Sequence, residues 1–372
     1  MGQCFSSRGG CDRTIKRPPY HPSHMKRVTM GHGAGGEMMQ ELVGKHIIPF
    51  LPKFATEVPL HSFDDSAVVD GIVFTTDGHT VKPLFFPDGD IGSLSVYGTV
   101  NDISVMGARP LALSSAMILE EGLEIETLEK VCTSIGKASE ICQVPVVTGD
   151  TKVMEVGKIE KMVIATSAIG RKSPYLDHDI EVASKYRRVD SHWMTDDNLR
   201  DGDAVIVTGT MGDHGIAVLS FREGYGFESE VKSDCAPLNM LVEEILKVGG
   251  AVSMKDPTRG GLANAINEWA SKSKVGIEIE ETAVPIADAV QNACEMLGLD
   301  PLTIGNEGKM IVGVVPEMAE EVLRAIKRSP IGRNAAIIGH ARKEIKGVVL
   351  RTEVGGRRIL EPPIGDPVPR IC

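Results

Sequence analysis

Acidic residues end short apolar runs at several places in the first half of the chain. These residues are Asp64, Asp65, Asp77, Asp102 and Asp150. Strand ends and helix starts place side chains in clefts, and carboxylates without nearby Cys or His clusters suit Mg²⁺ that is held together with substrate phosphates. The pattern therefore favours an ATP-dependent reaction. The alternative is that each Asp only forms a turn, which is the common role of such residues taken singly.

Three glycine-rich segments are candidates for contact with phosphate. They cover residues 31–36, 209–215 and 256–261. Small residues let backbone N–H groups approach an anion. The chain contains no G-x-x-x-x-G-K-[ST] motif, and the glycines of the second segment do not follow the dinucleotide spacing G-x-G-x-x-G. A P-loop or a Rossmann cofactor domain is therefore disfavoured, and for residues 209–215 a tight turn into a helix remains the alternative.

Three further side chains could take part in phosphoryl or proton transfer. Lys152 follows Asp150 closely, so that its cation could neutralise transferring phosphoryl oxygens, although a solvated lysine is the alternative. Glu307 precedes an apolar strand and could act as a general base, or could lie in a surface turn. His214 is either a helix-start residue or a site group, and spacing alone does not decide between them.

The last residue, Cys372, follows a proline-rich arm. The prolines of this arm are Pro362, Pro363, Pro367 and Pro369. Such a segment is expected to be extended, mobile and not packed, and a thiol on a mobile arm makes a good carrier of a chemical group. The position is too close to the end for C-a-a-X prenylation. The alternative is a free thiol on a frayed terminus.

Composition narrows the class of protein. A chain of 372 residues is long for one core and predicts two domains. A net charge of -11 argues against a nucleic-acid surface, and no apolar run is long enough for a membrane span. The seven cysteines are an odd number without C-x-x-C spacing, which fits a reducing compartment. We therefore expect a cytoplasmic protein with no nucleic-acid partner and no membrane partner.

Alternating strand-like and helical patterns predict an α/β first domain over residues 28–170. A hairpin is expected over 68–76, helices over 91–106 and 128–141, and a buried strand over 144–147 that ends at Asp150. A further strand is expected over 161–169. The segment 171–200 is polar and lacks core periodicity, so it is expected to be a linker or insertion.

A second α/β domain is expected over residues 201–345, with strands over 203–207, 277–279 and 310–315 and helices from 216 and over 238–248, 262–269 and 318–327. The arm 346–372 begins with a short strand over 347–351. Residues 1–27 form a leader whose first six residues match the myristoylation pattern M-G-x-x-x-[ST]. A tag or misplaced start before Met25 is the favoured interpretation, and no function is assigned to the leader.

Taken together, these motifs resemble the HypE family of hydrogenase maturation proteins, from about Val28 to Cys372. The resemblance is carried by residues 32–36, 63–67, 76–77, 98–102, 149–152, 212–215, 256–261 and 306–308 and by the ending Pro369-Arg370-Ile371-Cys372. The ending, combined with the ordered Asp motifs, is the specific part. Alone, the Asp and Gly motifs indicate the wider superfamily of aminoimidazole-ribonucleotide synthetase-like ATP enzymes, which includes selenophosphate synthetase and thiamine-monophosphate kinase.

The resemblance implies an α/β (α+β), two-domain aminoimidazole-ribonucleotide synthetase-like fold. Its N-terminal domain would bind ATP and Mg²⁺ and form a homodimer, followed by a C-terminal α/β domain and a flexible tail. In this family the terminal thiol receives a carbamoyl group from the partner HypF. ATP-dependent dehydration then turns that group into a thiocyanate. The cyano group passes to iron on the HypC-HypD complex, for assembly of the nickel-iron hydrogenase site.

By motif match, the resemblance also implies roles for individual residues. The thiol acted upon and the groups that act on it would be Cys372, Lys152, Glu307 and His214. The nucleotide-binding residues would be Gly33, Gly35, Gly36, Asp65, Asp77, Asn101, Asp102, Thr151, Thr258 and Arg259. The Mg²⁺ ligands would be Asp64, Asp65, Asp77, Asp102, Asp150 and Asp256. The division of work among Lys152, His214 and Glu307 stays open.

Two rival functions remain. A phosphotransferase of the same superfamily that acts on a free small molecule would not need Cys372. A non-enzymatic assembly protein would dock onto a partner through its proline-rich tail and would not hydrolyse ATP. Two features depart from the family pattern, namely the leader and the segment 173–197, which is longer than the corresponding connection in typical relatives. Both departures are interpreted as peripheral.

Overall fold

A five-stranded sheet with helices on one face forms the first domain. The computed structural model describes residues 27–226, 230–365 and 367–372, so the expected leader lies outside the described residues except for Arg27. In chain order the elements are α1 (Gly36–His46), β1 (Ala67–Val69), β2 (Ile72–His79), β3 (Phe85–Phe86), β4 (Gly89–Asp90), α2 (Ile91–Val105), β5 (Ala108–Glu120), α3 (Ile125–Cys142), β6 (Val146–Met154) and β7 (Met162–Lys172). The sheet order is β1-β2-β7-β5-β6, and α2 packs on β2, β5 and β7.

Local sequence explains where the central helix α2 begins. Asp90 precedes the helix, and its Oδ1 accepts the backbone N–H groups of Gly92 and Ser93 at 2.7 and 3.0 Å. This is an N-cap, which satisfies two donors that would otherwise lack partners in the first turn. Nearly every residue of α2 is buried, as expected for a helix enclosed by the sheet and by α3. The predicted hairpin and both predicted helices of this domain are confirmed.

The expected buried strand at 144–147 is wrong in two respects. Strand β6 continues through Asp150 to Met154, and all nine of its residues are exposed. It is the edge strand of the sheet and pairs only with β5 among the described strands. An apolar run such as Val144 to Val147 does not distinguish a central strand from an edge strand.

The segment expected to be a linker is instead part of the packed body. It contains helix α4 (Leu176–Ser184), and Trp193, Met194 and Leu199 are buried. Asp196 is also buried, and its carboxylate accepts from Trp269 Nε1 at 2.8 Å. This packing was not predicted, because the few apolar residues of the segment are spread among charged ones without a helical or strand period.

The second domain is built on a seven-stranded sheet of order β14-β13-β10-β12-β8-β11-β9. Its elements are β8 (Ala204–Val207), α5 (Asp213–Glu223), α6 (Asn239–Val248), β9 (Ala251–Lys255), α7 (Gly261–Ser273), β10 (Gly276–Glu280), α8 (Asp288–Leu297), β11 (Ile311–Val314), α9 (Ala319–Arg328), β12 (Ala336–Arg342), β13 (Val348–Arg351) and β14 (Arg357–Ile359). The strands and helices expected here from the sequence are confirmed.

Alternation along β8 shows how this sheet is buried on both faces. Ile206 belongs to one hydrophobic core, whereas Val205 and Val207 belong to another that contains the fully buried Trp269 of α7. The turn at 209–215 leads directly into α5 through Gly212, whose φ of 86° favours glycine. The tight-turn interpretation of that segment therefore fits the structure. In the parts of the chain that the structure covers, no helix has the length and apolar character needed to cross a membrane.

The end of the proline-rich arm is packed, which corrects the expectation of a free, mobile tail. Val368 and Ile371 are buried. Each of the last four backbone carbonyls accepts a hydrogen bond from the body. The donors are Arg222 Nη1 to Pro369 (2.6 Å), Lys82 N to Arg370 (3.1 Å), His214 Nε2 to Ile371 (2.7 Å) and Thr80 N to Cys372 (3.1 Å). We call these four donors the tail clamp.

Candidate active site

A cavity of about 300 Å³ lies between the two domains and collects most of the predicted acidic residues. We call it the carboxylate cavity, after five of its lining side chains. They are Asp65, Asp77, Asp102, Asp256 and Glu307. Asp64, Gly35, Thr258, Arg259 and Cys372 also line it. Ten residues that the sequence motifs indicated are thus brought to one place, although they span the chain from its first glycine-rich segment to its last residue.

The first-domain carboxylates project from β2, from α2 and from the loop before β1. Asp102 Oδ2 accepts a hydrogen bond of 2.8 Å from Thr75 Oγ1. Burial raises the pKa of Asp102 well above its ordinary value, and the charges of Asp256, Asp77 and Asp65 raise it further. Burial, followed by the charge of Asp196, raises the pKa of Asp64. The cavity therefore concentrates more negative charge than its own basic groups neutralise.

Asp77 differs from its neighbours because basic groups lie beside it. Burial alone would raise its pKa, but His79 Nε2 at 3.6 Å and Arg259 Nη2 at 3.8 Å hold the pKa below its ordinary value. Burial lowers the pKa of His79 itself, so Arg259 carries the lasting positive charge. Asp77 is thus the acidic group of the cavity that is best prepared to stay ionised.

The second domain contributes two carboxylates with raised pKa values. Burial raises the pKa of Asp256 to about 6; Lys255 opposes this, while Asp77 adds to it. Burial raises the pKa of Glu307 well above its ordinary value, and Asp256, Asp77 and Asp234 reinforce the shift. Glu307 Oε1 is buried without a hydrogen-bond partner among the described residues. Glu307 also lines the cavity, and a buried carboxylate with a raised pKa at such a position is suited to exchange a proton with a bound substrate.

Arg259 joins the carboxylates to Cys372. The negative charge of Cys372 is the largest influence that raises the pKa of Arg259, ahead of burial, which opposes it, and of Asp77, which also raises it. Arg259 also fixes the first glycine-rich segment, because its Nη1 donates to the carbonyl of Gly33 at 3.4 Å. A Cβ atom on Gly35 would lie 3.0 Å from the Arg259 carbonyl, and Gly35 has a φ of 78°. This close approach explains the glycine at position 35.

Lys255 is a site residue that the sequence reasoning missed. Its Nζ lies 2.6 Å from Asp65, 3.2 Å from Asp196 and 3.3 Å from Glu268. Burial opposes the charge of Lys255, but these three carboxylates raise its pKa well above its ordinary value. A signal was present, because Lys255 ends an apolar run directly before Asp256, which is one of the predicted ligands.

Several predicted site residues lie elsewhere in the chain's fold. Asp150, Thr151 and Lys152 are on exposed β6, where the side chains of Lys152 and Asp150 are 70% and 63% exposed and form an ion pair at 3.5 Å. None of the three lines the carboxylate cavity. The monomer therefore does not bring them to Glu307 or Cys372, because β6 is the edge of the sheet farthest from β2, which carries Asp77.

Three other predicted residues support the site from behind. His214 is fully buried; its Nδ1 lies 2.8 Å from Ser233 Oγ, and its Nε2 holds the tail carbonyl described above. Asn101 is also buried and bonds backbone atoms of Ala236, Leu238 and Glu307. Gly36 lies next to the arm, since a Cβ there would be 3.2 Å from the carbonyl of Pro363. These three residues therefore support the structure around the site, and none of them lines the carboxylate cavity.

The carboxylates do not form a finished metal site in the chain as it stands. Among the described residues, no three Asp, Glu, His or Cys side chains converge closely enough to hold a metal ion. The donor set nevertheless fits a hard divalent cation, because buried carboxylates raise one another's pKa and a cation would relieve that repulsion. Phosphate oxygens would have to supply the remaining ligands.

Family models match both domains. Residues 63–172 match the N-terminal domain of AIR synthase related proteins, and residues 200–350 match the C-terminal domain. A putative hydrogenase expression/formation protein of Methanocaldococcus jannaschii is 48% identical, covering 93% of this chain and 100% of its own. The carbamoyl dehydratase HypE of Rhizobium leguminosarum bv. viciae is 44% identical, over 93% of this chain and 95% of its own.

Solved structures agree with these sequence relatives. A crystal structure of a HypE-HypF complex matches with a TM-score of 0.78 and 39% identity, covering 88% of this chain and 100% of that chain. A crystal structure of the hydrogenase maturation protein HypE in complex with ATP matches with a TM-score of 0.75 and 40% identity, covering 93% and 100%. The chain therefore belongs to the carbamoyl dehydratase HypE family, a hydrogenase-maturation branch of the AIR synthase related proteins.

Proposed function

We propose that this chain is an ATP-dependent carbamoyl dehydratase that acts on its own Cys372 and supplies a cyanide ligand for a nickel-iron hydrogenase. The observation that carries the proposal is that Cys372 lines the carboxylate cavity together with Arg259 and Glu307, and that its charge acts on Arg259. The residue that carries the terminal thiol thus lies in the same cavity as a candidate general base, Glu307, and the residues proposed to bind the phosphates of ATP. An enzyme acting on a free small molecule has no use for that arrangement.

The chemistry needs activation of an amide oxygen. The oxygen of an S-carbamoyl group on Cys372 attacks the γ-phosphorus of ATP, and the bond from that phosphorus to the oxygen of ADP breaks. Two N–H protons then leave the nitrogen, and the carbon–oxygen bond breaks to release inorganic phosphate. The product is a thiocyanate, Cys372–S–C≡N. ATP supplies the phosphoryl group that becomes phosphate, so the atoms balance without an oxidant or a reductant.

Different residues of the cavity accept the protons and bind the phosphates. Glu307 accepts the N–H protons, because its buried carboxylate has a raised pKa and therefore a high proton affinity. Arg259 and Lys255 offset the negative charge of the phosphates. Asp65, Asp77, Asp102 and Asp256 would hold Mg²⁺, with Asp64 beside them. When bound, Mg²⁺ supplies charge neutralisation at the phosphate oxygens.

The exposed strand β6 gives Asp150, Thr151 and Lys152 a role only in a dimer. Cross-strand registers put Asp150 and Lys152 on the sheet face that the helices leave open, together with Phe74 and Thr76 of β2 and Ile169 of β7. We call these residues the open face. A second copy covers it and brings Asp150 and Lys152 of each chain toward the nucleotide of the other, with Thr151 between them on the opposite face of the strand. This homodimer completes the predicted phosphate site.

Partners must load and unload the thiol. A HypF-type protein delivers the carbamoyl group, consistent with the similar structure solved as a HypE-HypF complex. The cyano group passes to iron on a HypC-HypD complex. Both exchanges require Cys372 to leave the tail clamp, since the residue lines the cavity between the two domains when the tail is docked.

Mass spectrometry of the peptide that carries Cys372 tests the proposal. The chain is incubated with a HypF-type carbamoyl donor system, with ATP and Mg²⁺ or with ATP withheld. We expect a carbamoylated Cys372 that loses the mass of one water only when ATP is present. Cys372→Ser is the control and carries no product. A superfamily phosphotransferase is indicated instead if the wild-type peptide stays carbamoylated while ATP is consumed, and an assembly protein if ATP is not consumed.

A further inference from the structure

Asp196 lies directly behind the wall of the carboxylate cavity. Lys255 lines that cavity, and its Nζ lies 2.6 Å from Asp65 Oδ1 and 3.2 Å from Asp196 Oδ2. Asp196 does not line the cavity and is 1% exposed. It belongs to the segment 173–197, which from the sequence alone was interpreted as peripheral. Asp196 thus contacts a residue of the cavity wall without being part of the wall itself.

Both domains hold Asp196 in place. Its backbone N–H donates to Asp64 Oδ1 of the first domain at 2.9 Å. Its backbone carbonyl accepts from Ser273 Oγ of α7 at 2.8 Å, and its Oδ1 accepts from Trp269 Nε1 of the same helix. These contacts fix the backbone and one side-chain oxygen of Asp196, so that the second oxygen is held at a defined point.

The second oxygen of Asp196 accepts from two lysines. Lys272 Nζ lies 2.5 Å and Lys255 Nζ lies 3.2 Å from Oδ2. Burial alone would raise the pKa of Asp196, but the charges of Lys255 and Lys272 hold it below its ordinary value. A lysine ammonium is carried on a flexible four-carbon stem, and a buried ammonium needs acceptors that stay in place. Asp196 is such an acceptor, because its own position is fixed from both domains.

Asp196 differs in one respect from the other two acidic partners of Lys255. Those partners, Asp65 and Glu268, both line the carboxylate cavity, so a ligand there competes with Lys255 for their oxygens. Asp196 lies outside the wall and does not meet this competition. It is therefore the partner that keeps the ammonium of Lys255 in place when the cavity is occupied.

We propose that Asp196 is a positioning residue for ATP, which holds the ammonium of Lys255 at the cavity wall where that group neutralises phosphate charge. The inference rests on the ATP-binding part of the proposed function and deepens it. Because Lys255 is held before ATP arrives, little side-chain freedom is lost on binding. The contact is the same before and during the reaction, so its loss should reduce the affinity for ATP more than the rate at saturating ATP.

Calorimetric titration with ATP and Mg²⁺ tests the proposal without turnover of a carbamoyl group. Asp196→Asn keeps the shape of the side chain and the oxygen that accepts from Trp269, but it removes the negative charge that Lys255 contacts. We expect the dissociation constant of ATP to rise roughly tenfold, about the effect of one hydrogen bond to a charged group. Equal dissociation constants in Asp196→Asn and wild type would overturn the proposal. The matched control is Asp177→Asn in α4, whose side chain is 78% exposed and which should bind ATP as wild type does.

A double-mutant cycle shows whether the effect of Asp196 passes through Lys255. Lys255→Met removes the ammonium and should weaken ATP binding by itself. When Asp196→Asn is added to Lys255→Met, the dissociation constant should change by less than about twofold, because the group that Asp196 positions is already absent. A further tenfold loss of affinity in that background would mean that Asp196 acts by another route, and the proposal would be wrong.

Single-turnover dehydration separates positioning from general damage to the fold. In Asp196→Asn the ATP concentration for half-maximal rate should rise roughly tenfold, while the rate at saturating ATP should stay within about threefold of wild type. Near-ultraviolet circular dichroism of the chain's two tryptophans, Trp193 and Trp269, checks the packing around Asp196. A saturated rate that falls as far as the affinity, together with an altered tryptophan spectrum, would indicate a structural role and contradict the proposal.

Two outcomes distinguish this proposal from the proposed function. If wild type binds ATP more tightly than Asp196→Asn but never removes water from carbamoylated Cys372, the role of Asp196 stands and the dehydratase function fails. If dehydration proceeds and the two chains bind ATP equally well, the function stands and the role of Asp196 is wrong.

Discussion

Glu307 combines burial, an unpartnered oxygen and a crowded electrostatic setting. Its backbone N–H donates to Asp234 Oδ1 at 2.9 Å, and Asn101 donates to its carbonyl at 3.4 Å, so the backbone is fixed while the carboxylate stays available. A fixed base with a high proton affinity is suited to remove protons from a weakly acidic imidate nitrogen. The same setting makes the ionised form of Glu307 costly for folding.

Glu307→Gln should separate catalysis from stability. Gln cannot accept the N–H protons, so we expect single-turnover dehydration to fall by about 10²–10⁴-fold. Because the folded pKa of Glu307 lies above the unfolded one, folding stability falls as pH rises from the unfolded value of 4.5 through the folded value. The variant lacks this loss, so its melting temperature at neutral pH should exceed that of wild type in the absence of nucleotide.

Quench-flow assays and thermal melts between pH 5 and 8 check both effects. The pH series matters because the stability difference between the variant and wild type should widen as pH rises. Glu317→Gln is the control, since Glu317 is exposed before α9 and does not line the cavity, and it should leave both the rate and the stability difference unchanged. A variant that dehydrates at the wild-type rate would exclude Glu307 as the base.

At the scale of elements, the tail clamp fixes which residue reaches the cavity. Lys82 N and Thr80 N bond the carbonyls of Arg370 and Cys372, two residues apart, as neighbouring strands do. Ile371 between them turns its side chain into the core, where it lies against Gly305. Backbone contacts fix the register and one apolar side chain supplies burial, so Cys372 is the residue that reaches the cavity.

Ile371→Ala should weaken docking without touching the catalytic groups. Removing a buried branched side chain costs on the order of 2 kcal/mol or more, roughly a thirtyfold shift of the docking equilibrium. Hydrogen–deuterium exchange should then lose protection at the amides of Thr80 and Lys82. The matched control is Ile364→Ala in the same arm, where the side chain is 64% exposed and no change is expected. Unaltered protection in Ile371→Ala would mean that burial of Ile371 does not hold the tail.

Local patterns predicted the elements well where burial follows a period. The hairpin 68–76, helix α2 and the strands of the second sheet all have apolar residues at regular spacing. The same reasoning failed at β6, at Trp193 to Leu199 and at the arm. These three features depend on residues that are distant in sequence. They are the edge position of β6, the packing of scattered apolar residues, and the hydrogen bonds to the backbone of Pro369 to Cys372. A local hydrophobic period therefore does not predict them.

The site residues, too, were predictable where local sequence decides their position and not where distant parts of the chain decide it. Asp65, Asp77, Asp102 and Asp256 lie in the cavity, and each stands at an end of an apolar run that the sequence displays. Lys152 and His214 have equally suggestive neighbours but lie outside it. Their positions depend on strand order and on the docked tail, which spacing along the chain does not reveal.

At the scale of the whole molecule, the open face exposes apolar side chains of the first domain. Phe74 and Ile169 are 47% and 42% exposed on it, and Ile72 is 44% exposed nearby. Contiguous exposed apolar residues on a sheet mark an interface. Covering this face with a second copy would also give Lys152 a phosphate partner.

Phe74→Glu should therefore break the dimer. A charge on the open face opposes burial against a second copy, so light scattering after size exclusion should give the 40.0 kDa mass of one chain, where wild type should give twice that value. Dehydration should fall together with the dimer. Met296→Glu, on a 75% exposed side chain of α8, is the control and should leave mass and rate unchanged. A wild-type chain that is monomeric would contradict the dimer.

The docked arm also determines how the reaction depends on concentration. Cys372 is joined covalently to the cavity that holds it, so its local concentration is set by the arm between Leu360 and Cys372 and is independent of how much protein is present. Dilution should leave the rate per chain unchanged for as long as the dimer persists. The carbamoyl group therefore has no Michaelis constant of its own. The rate of a single turnover depends on the concentration of one reactant in solution, which is ATP.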